Sequence, residues 1–263
     1  MDEPVPRAHT ARMYEGQSLT LFAHVCSRPE PELDLAEAAL LLGDIAYGDV
    51  DVASGVAELD ALGRAAKRSI DRVDGDAARV EALLQFLYGE SGFHGNQADY
   101  YDPRNSFVGD VLARRTGIPI SLALVIVEVA RRAGVEAQGV SFPSHFLVRS
   151  PVPGGMLVVD PFEGRLLGVN ELRGLYARAI GSRANASAPR DVPPKLLEPA
   201  PKKQILLRML TNLRGVYAST GDEARVRQVL ERVEVLCPND DTRRELERLG
   251  GRAGAAPASR VLN

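Results

Sequence analysis

The sequence has few of the features that mark a secreted, disulfide-bonded or zinc-binding protein. Only two cysteines, Cys26 and Cys237, occur in 263 residues, and neither belongs to a CxxC motif or a Cys/His cluster. This argues against a disulfide framework and a cysteine-based zinc site, and it favours a cytoplasmic protein. Each cysteine lies in an apolar helical pattern, so we expect both to be buried in packing.

Long apolar runs and a strong net charge are also absent. The longest apolar run, residues 118–129, contains Ser121 and Glu128 and is shorter than the ~20 residues that span a bilayer. Residues 1–16 combine acidic residues and prolines without an apolar core, so we expect no signal peptide. The formal net charge of -3 at pH 7 argues against a nucleic-acid partner. We therefore expect no membrane contact, no nucleic acid, no metal and no other cofactor.

The sequence does contain the apolar content and periodicity of a globular protein with a helical first part. Hydrophobic residues make up 45% of the chain, enough for a substantial core. Apolar residues recur every three or four positions, which predicts helices before residue 90. These helices are expected over residues 17–26, 33–47, 56–73 and 77–88. Asp34 and Asp76 are candidate N-caps.

The centre of the chain reads as a buried helix followed by short strands. A helix is predicted within residues 102–117, ended by Gly117. Residues 121–133 are apolar on nearly every side of a second helix, which is typical of a buried central helix. Strands are predicted over residues 135–140, 146–149 and 156–159, the last two as a hairpin. A short helix over residues 169–180 follows.

Composition changes at Gly181. Five prolines occur within residues 181–201, which is typical of a linker. Amphipathic helices are then predicted over residues 203–219, 222–237 and 240–249. Six residues of this tail are spaced as in the tetratricopeptide signature: Leu210, Leu213, Tyr217, Leu230, Val233 and Pro238. Arg214 and Val226 depart from that signature. One such repeat cannot bury its apolar face alone, so it should dock on the first domain or on a partner.

These patterns divide the chain into five segments. The predicted segments are a disordered lead-in (1–15), a main domain (16–180), a Pro-rich linker (181–201), a tetratricopeptide-like helical hairpin (202–250) and a disordered tail (251–263). The expected class is α+β, with an N-terminal helical layer, a small antiparallel sheet and an α-helical hairpin at the end.

Three polar residues interrupt the apolar pattern of the central stretch. Ser121 lies at the start of the buried helix, His145 before the second strand and Asp160 at the end of the third. In that order they are candidates for nucleophile, base and orienting acid. Each also has a structural interpretation: Ser121 can cap the helix, His145 can hold the strand ends together, and Asp160 can begin a turn.

Three separated segments of the sequence carry a family resemblance. The segments are YYDPRNSFVGDVLARRTGIPISLAL, GVSFPSHFLVR and VVDPFEG. In order and spacing they resemble the SirB-type transglutaminase-like family, whose members join a papain-like domain to a tetratricopeptide-like tail. A related domain occurs in an animal F-box protein that acts as a ubiquitin-ligase substrate adaptor. With the tail, the resemblance extends over residues 33–237.

The resemblance implies a Cys-His-Asp site, and this sequence departs from it at the nucleophile. The implied histidine is His145, the implied acid is Asp160, and the cysteine position is Ser121. A serine hydroxyl is far less acidic than a thiol, so the helix dipole alone cannot activate it. It would need direct contact with His145 and an oxyanion hole. Asn105 and the backbone near Ser121 are candidate oxyanion donors.

The sequence is compatible with three functions. The first is a non-catalytic interaction or regulatory protein that uses the cleft and the tail to bind a protein partner. The second is a serine-dependent acyl-transfer enzyme, a peptidase or amidase, and the third is a structural scaffold. Asn105, Tyr101 and Asp102, with Tyr100, are candidates to line the cleft; a polar turn that caps the next helix is the alternative. The missing cysteine favours the first function, and the sequence does not specify the oligomeric state.

Overall fold

The structure is a computed structural model that describes residues 18–180 and 191–253, with side chains described up to residue 250. The predicted lead-in at 1–15, residues 181–190 of the predicted linker and most of the predicted tail lie outside the described residues. The α-helices in chain order are α1 (18–26), α2 (Leu35–Leu41), α3 (Asp44–Tyr47), α4 (Val52–Ile70), α5 (Asp76–Leu84), α6 (Val108–Arg114), α7 (Pro119–Ala133), α8 (Val169–Ala179), α9 (Lys202–Ser219), α10 (Glu223–Leu236) and α11 (Asp240–Ala253). A π-helical turn (Gln85–Glu90) extends α5, and two 3₁₀ turns occupy Pro103–Asn105 and Pro194–Leu197.

Helix starts follow local capping chemistry, with two departures from the sequence prediction. The Asp34 side chain accepts a hydrogen bond from the backbone N–H of Glu37, which confirms Asp34 as the N-cap of α2. Asp76, the other candidate cap, lies inside the first turn of α5, and Gly75 is the N-cap. The single helix predicted over residues 33–47 is two helices, because Leu42 and Gly43 form a turn between α2 and α3.

The strands form two sheets, one of which the sequence did not predict. The strands are β1 (His94–Gly95), β2 (Thr116–Gly117), β3 (Gln138–Val140), β4 (Leu147–Val152), β5 (Gly155–Asp160) and β6 (Arg165–Leu166). The last four form an antiparallel sheet in sequence order, with the predicted hairpin between β4 and β5. β1 and β2 form a small parallel pair. This pairing places Gly117 in β2. Helix α6 ends earlier, at Arg114, and its C-cap Arg115 adopts a left-handed conformation with φ of 56°.

Helix α7 lies at the centre of the core, as its all-round apolar pattern predicts. Its apolar side chains from Ile120 to Ala133 are nearly all buried, and α4 packs along it. Its one buried carboxylate, Glu128, is paired with Arg131 and Arg132 of the same helix. The sheet covers another side of α7 through β4. The fold is therefore helix-rich α+β, as expected.

The C-terminal helices dock on the main domain. The apolar side chains of α9 belong to the same buried cluster as those of α2 and α7. Polar contacts flank this packing: the Lys202 ammonium donates to the carbonyls of Pro31 and Leu33, and Arg225 donates to the carbonyl of Ala46. One continuous core therefore joins the predicted hairpin to the first domain.

Two further findings concern the cysteines and the membrane. Cys26 is buried as expected, but Cys237 is exposed, because it lies beyond the last residue of α10 as its C-cap. Within residues 18–180 and 191–253, no helix is both long enough and apolar enough to cross a bilayer.

Candidate functional site

Ser121 lies in the first turn of α7 and is fully buried. Its side chain has 0% exposure. The Ser121 hydroxyl accepts a hydrogen bond from the backbone N–H of Ile118 at 3.1 Å and donates to the carbonyl oxygen of Asn105 at 2.6 Å. The first contact satisfies an amide that a helix start leaves without a partner. A Cβ on Gly117 would lie 2.7 Å from Ser121 Oγ, so the absence of a side chain there makes room for the hydroxyl.

Asn105 supports this arrangement through its backbone and is committed elsewhere through its side chain. Its amide nitrogen donates to the carbonyls of Asp99 and Tyr100 at 2.7 and 3.2 Å. Its amide oxygen accepts from the side chain of Asn96 at 3.0 Å. Because these bonds hold the polar loop together, the Asn105 amide is not free to act as an oxyanion donor in this conformation.

His145 and Asp160 are in direct contact. The imidazole Nε2 of His145 lies 3.1 Å from Oδ1 of Asp160, and the two side chains are 18% and 8% exposed. Fifteen residues separate them in sequence, and the β4–β5 hairpin brings the two ends together. Ser144, immediately before His145, has a φ of 56°, so the histidine follows a tight turn. Two of the three predicted site residues therefore meet.

The turn after β5 fixes the carboxylate of Asp160. The backbone N–H groups of Phe162 and Glu163 donate to Oδ1 of Asp160 at 2.9 and 3.4 Å. Burial alone would raise the pKa of Asp160, but the His145 contact and these amides hold it below its usual value. Gly164 completes the turn with a φ of 68°, and the Tyr88 ring occupies the space that a Cβ there would need.

Tyr88 is a further member of this site that the sequence did not reveal. Its hydroxyl donates to the carbonyl of Pro161, next to Asp160. Burial raises the pKa of Tyr88 well above its usual value, and the charge of Asp160 adds to the effect. The Tyr88 hydroxyl therefore stays protonated and acts as a donor that holds the Asp160 turn.

Arg208 of α9 is the second residue that the sequence did not reveal. Its guanidinium donates to the His145 carbonyl at 2.9 Å, to the Phe142 carbonyl at 3.1 Å and to the Ser141 hydroxyl at 3.1 Å. It also lies 5.9 Å from the ring centroid of Phe146. Arg208 is 63 residues from His145 in sequence, so no local pattern could have connected them. The C-terminal hairpin thus holds the turn that carries the histidine.

The structure does not join Ser121 to the His145–Asp160 pair. Within the described ranges, every hydrogen bond of the Ser121 hydroxyl goes to Ile118 or to the carbonyl of Asn105. The described part of the chain also holds no group of three His, Cys, Asp or Glu side chains that could bind a metal ion. The site thus contains His145 paired with Asp160, and Ser121, whose hydroxyl is hydrogen-bonded to the backbone.

Tyr101 and Asp102, the other predicted binding residues, lie on the wall of a cavity. This cavity of about 400 Å³ lies between the loop before α6 and helix α9. Asp102 also N-caps the following 3₁₀ turn by accepting from the backbone N–H of Arg104, which is the structural role that the sequence offered as the alternative. Asn105 lies beneath this loop and is fully buried.

Comparison with known proteins defines the class of this protein. Residues 53–211 match the protein family described as the transglutaminase-like superfamily. The matched range includes α7, the His145–Asp160 pair and the first part of α9. The chain therefore belongs to the transglutaminase-like superfamily.

Individual relatives extend the similarity to most of the chain. A UPF0162 protein of Xylella fastidiosa is 37% identical over 250 residues, which cover 92% of this chain and 88% of that protein. A UPF0162 protein of Pseudomonas aeruginosa is 33% identical over 213 residues, or 81% of this chain and 75% of that protein. Human F-box only protein 21 is 47% identical over 70 residues, which cover 27% of this chain and 11% of that protein.

Proposed function

We propose that this chain is a non-catalytic, SirB-type member of the transglutaminase-like superfamily that acts as an interaction or regulatory module in the cytoplasm. Its cleft and its tetratricopeptide-like tail would bind a protein partner. The observation that carries the proposal is the hydrogen bonding of Ser121, whose buried hydroxyl donates to the Asn105 carbonyl.

A nucleophilic serine must meet two geometric requirements, and Ser121 meets neither in this structure. Its hydroxyl must donate to the general base, and its oxygen must reach the acyl carbon of a substrate. Here the proton is directed at a backbone carbonyl 2.6 Å away, and the oxygen accepts from the Ile118 amide. Activation would require breaking a buried hydrogen bond, leaving the Asn105 carbonyl without its partner. The role best supported for Ser121 is therefore to hold the start of α7 against the polar loop.

The tail supports the interaction part of the proposal. Helices α9 and α10 form a hairpin joined by a short turn, with Asp222 as the N-cap of α10. Leu210, Leu213, Tyr217 and Leu230, four of the six signature positions, are buried. α11 packs on α10. This is the arrangement expected of one tetratricopeptide-like repeat with a capping helix.

A serine-dependent acyl-transfer enzyme is the alternative, and one observation favours it. The His145–Asp160 contact at 3.1 Å is the pair that a triad requires of its base and orienting acid. Under this alternative, a rearrangement of α7 would turn the Ser121 hydroxyl from Asn105 to His145.

A fluorophosphonate probe separates the two functions. We expect the wild-type protein to be labelled no more than the Ser121→Ala variant, because a buried hydroxyl that donates to a carbonyl does not attack phosphorus. Stoichiometric labelling that disappears in Ser121→Ala and falls in His145→Ala would overturn the proposal in favour of the enzyme. A serine hydrolase treated in parallel verifies the probe.

Partner binding separates the interaction function from a purely structural scaffold. If the cleft binds a partner, His145→Ala should weaken binding of a partner identified with the wild-type chain. A scaffold predicts unchanged binding and a lower melting temperature in the same variant.

A further inference from the structure

The cavity beside Tyr101 has walls from two parts of the chain that are distant in sequence. One wall consists of the loop residues Tyr100, Tyr101 and Asp102, and the other is the face of α9 that carries Asn212, Gly215 and Val216. Its volume of about 400 Å³ lies in the lower part of the ~300–1,000 Å³ range of ligand pockets. A cavity of this size accepts a few residues of a chain segment, whereas a folded domain would need a larger surface.

Three polar groups on these walls have unused hydrogen-bonding capacity. Within the described ranges, the Asn212 carboxamide and the hydroxyls of Tyr100 and Tyr101 make no hydrogen bond. Other hydroxyls of the same helix face are occupied: Thr211 donates to the Leu207 carbonyl, and Ser219 donates to the Val216 carbonyl. The free groups therefore have no structural use within the described protein, and a carboxamide can pair with both the N–H and the C=O of a peptide unit.

The charged side chain on the cavity wall is compensated by ion pairs. Asp102 is the one charged residue among those that line it in the described chain. Arg104 binds the Asp102 carboxylate through Nε and Nη2 at 2.7–3.0 Å, and Arg114 lies 3.5 Å from the same group. With its charge compensated, this wall gives no advantage to a cationic or anionic ligand. An uncharged ligand matches it best.

An aromatic row connects the cavity to the His145–Asp160 pair. The Tyr101 and Tyr100 rings meet edge to face with centroids 5.4 Å apart, and Tyr100 lies 6.0 Å from Phe162 in the turn after Asp160. Tyr100 and Tyr101 are 44% and 74% exposed. Exposed aromatic rings of this kind offer large contact area at low entropic cost. The row gives an extended ligand a continuous path from α9 to the Asp160 turn.

We propose that this cavity binds an extended, uncharged peptide segment of a partner protein. An apolar side chain of the segment contacts Ile118 and Val216, and Asn212 pairs with its backbone. The segment continues along the Tyr100–Phe162 row. This inference rests on the proposed interaction function, for which it specifies the surface and the chemistry of the partner.

Gly215 provides a direct test, because a Cβ at this position would meet no other atom within 4 Å. Replacement by glutamine places a side chain in the open cavity and raises the helix propensity of α9. Gly109 of α6 is a matched control: it is also an exposed helical glycine with open space around it, but it lies in a different cavity. Both variants should melt no lower than the wild type.

The measurement uses two phage-displayed peptide libraries, one without Asp, Glu, Lys and Arg and one enriched in them. Peptides selected on the full chain are then titrated by fluorescence polarisation. We expect binders from the uncharged library. Their Kd should rise about tenfold in Asn212→Ala, which loses a hydrogen-bonded pair, and at least as much in Gly215→Gln, with no change in Gly109→Gln.

Three results would contradict the proposed binding site. The first is that neither library yields a binding peptide, and the second is that only the charged library does. The third is that Asn212→Ala and Gly215→Gln leave the Kd of the selected peptides unchanged. Each of these outcomes is independent of the fluorophosphonate result. The peptide titrations therefore test the binding site, and the fluorophosphonate probe separately tests whether the protein is non-catalytic.

Discussion

Replacing Arg208 by alanine tests whether helix α9 holds the turn that carries His145. The guanidinium makes three hydrogen bonds to residues 141–145, at 2.9–3.1 Å. The variant removes all three and leaves two backbone carbonyls without these donors. Burial lowers the pKa of Arg208, because the guanidinium is partly withdrawn from water.

The expected loss follows from these contacts. A hydrogen bond that involves a charged group contributes about 1.5–3 kcal/mol. The simple sum overstates the loss, since Arg208 is only half-buried and water can reach part of the site after its removal. We therefore expect the free energy of unfolding to fall by about 2–4 kcal/mol, and the Tm by about 10 °C for a chain of this size.

Urea denaturation of Arg208→Ala beside Arg214→Ala measures this effect. Arg214 lies on the same helix and forms an exposed ion pair with Glu245, so its removal should cost at most about 1 kcal/mol. Arg208→Lys should recover only part of the loss, because an ammonium lacks the planar fork. Hydrogen exchange at the His145 amide should accelerate in Arg208→Ala. Equal stability of the two alanine variants, with unchanged exchange at His145, would refute the reasoning.

Four further predictions concern Ser121, Asp160 and the cysteines. Ser121→Ala should lower the free energy of unfolding by about 1–3 kcal/mol in urea titrations, because the Ile118 amide loses its buried acceptor. The pKa of Asp160 is depressed in the folded state. The stability that the ionised carboxylate contributes should therefore be complete above about pH 5 and be lost as the pH falls through the folded pKa. If the free energy of unfolding of the wild type exceeds that of Asp160→Asn by more as the pH falls, this expectation is contradicted. Burial raises the pKa of Cys26 to about 11, so mass spectrometry should show iodoacetamide on exposed Cys237 and not on Cys26. A Ser121→Cys thiol should react as slowly as Cys26, and fast alkylation there would mean an open, activated site.

The interaction proposal and the cavity have a common structural basis in the docked tail. Arg208 and the free Asn212 lie one helical turn apart on α9, so one helix both fixes the His145 turn and presents an unoccupied polar group. A partner segment bound beside Asn212 would therefore contact the element on which the histidine depends. Binding and the order of the His145 turn should be coupled through α9.

Local patterns predicted most of the helices and three of the four strands of the larger sheet, all but the two-residue β6. The period of α7 indicated a buried central helix, since a helix that is apolar on every face has no stable place at a surface. The hairpin between β4 and β5 was also predicted. The patterns did not reveal the β1–β2 pair, because two-residue strands carry no periodicity. They placed the end of α6 at Gly117, whereas the left-handed residue that follows this helix is Arg115. A residue other than glycine in the left-handed conformation has no sequence signal.

The sequence by itself determined which residue types stand at positions 121, 145 and 160, and with them the absence of a thiol at the nucleophile position. Spacing and motif order were sufficient for that, because they are properties of the chain. Only the tertiary structure decided what those side chains contact. It paired His145 with Asp160, bonded Ser121 to the Asn105 backbone and brought Arg208 to the His145 turn. A hydrogen bond depends on distances of a few tenths of an ångström between groups far apart in sequence, and packing alone sets those distances.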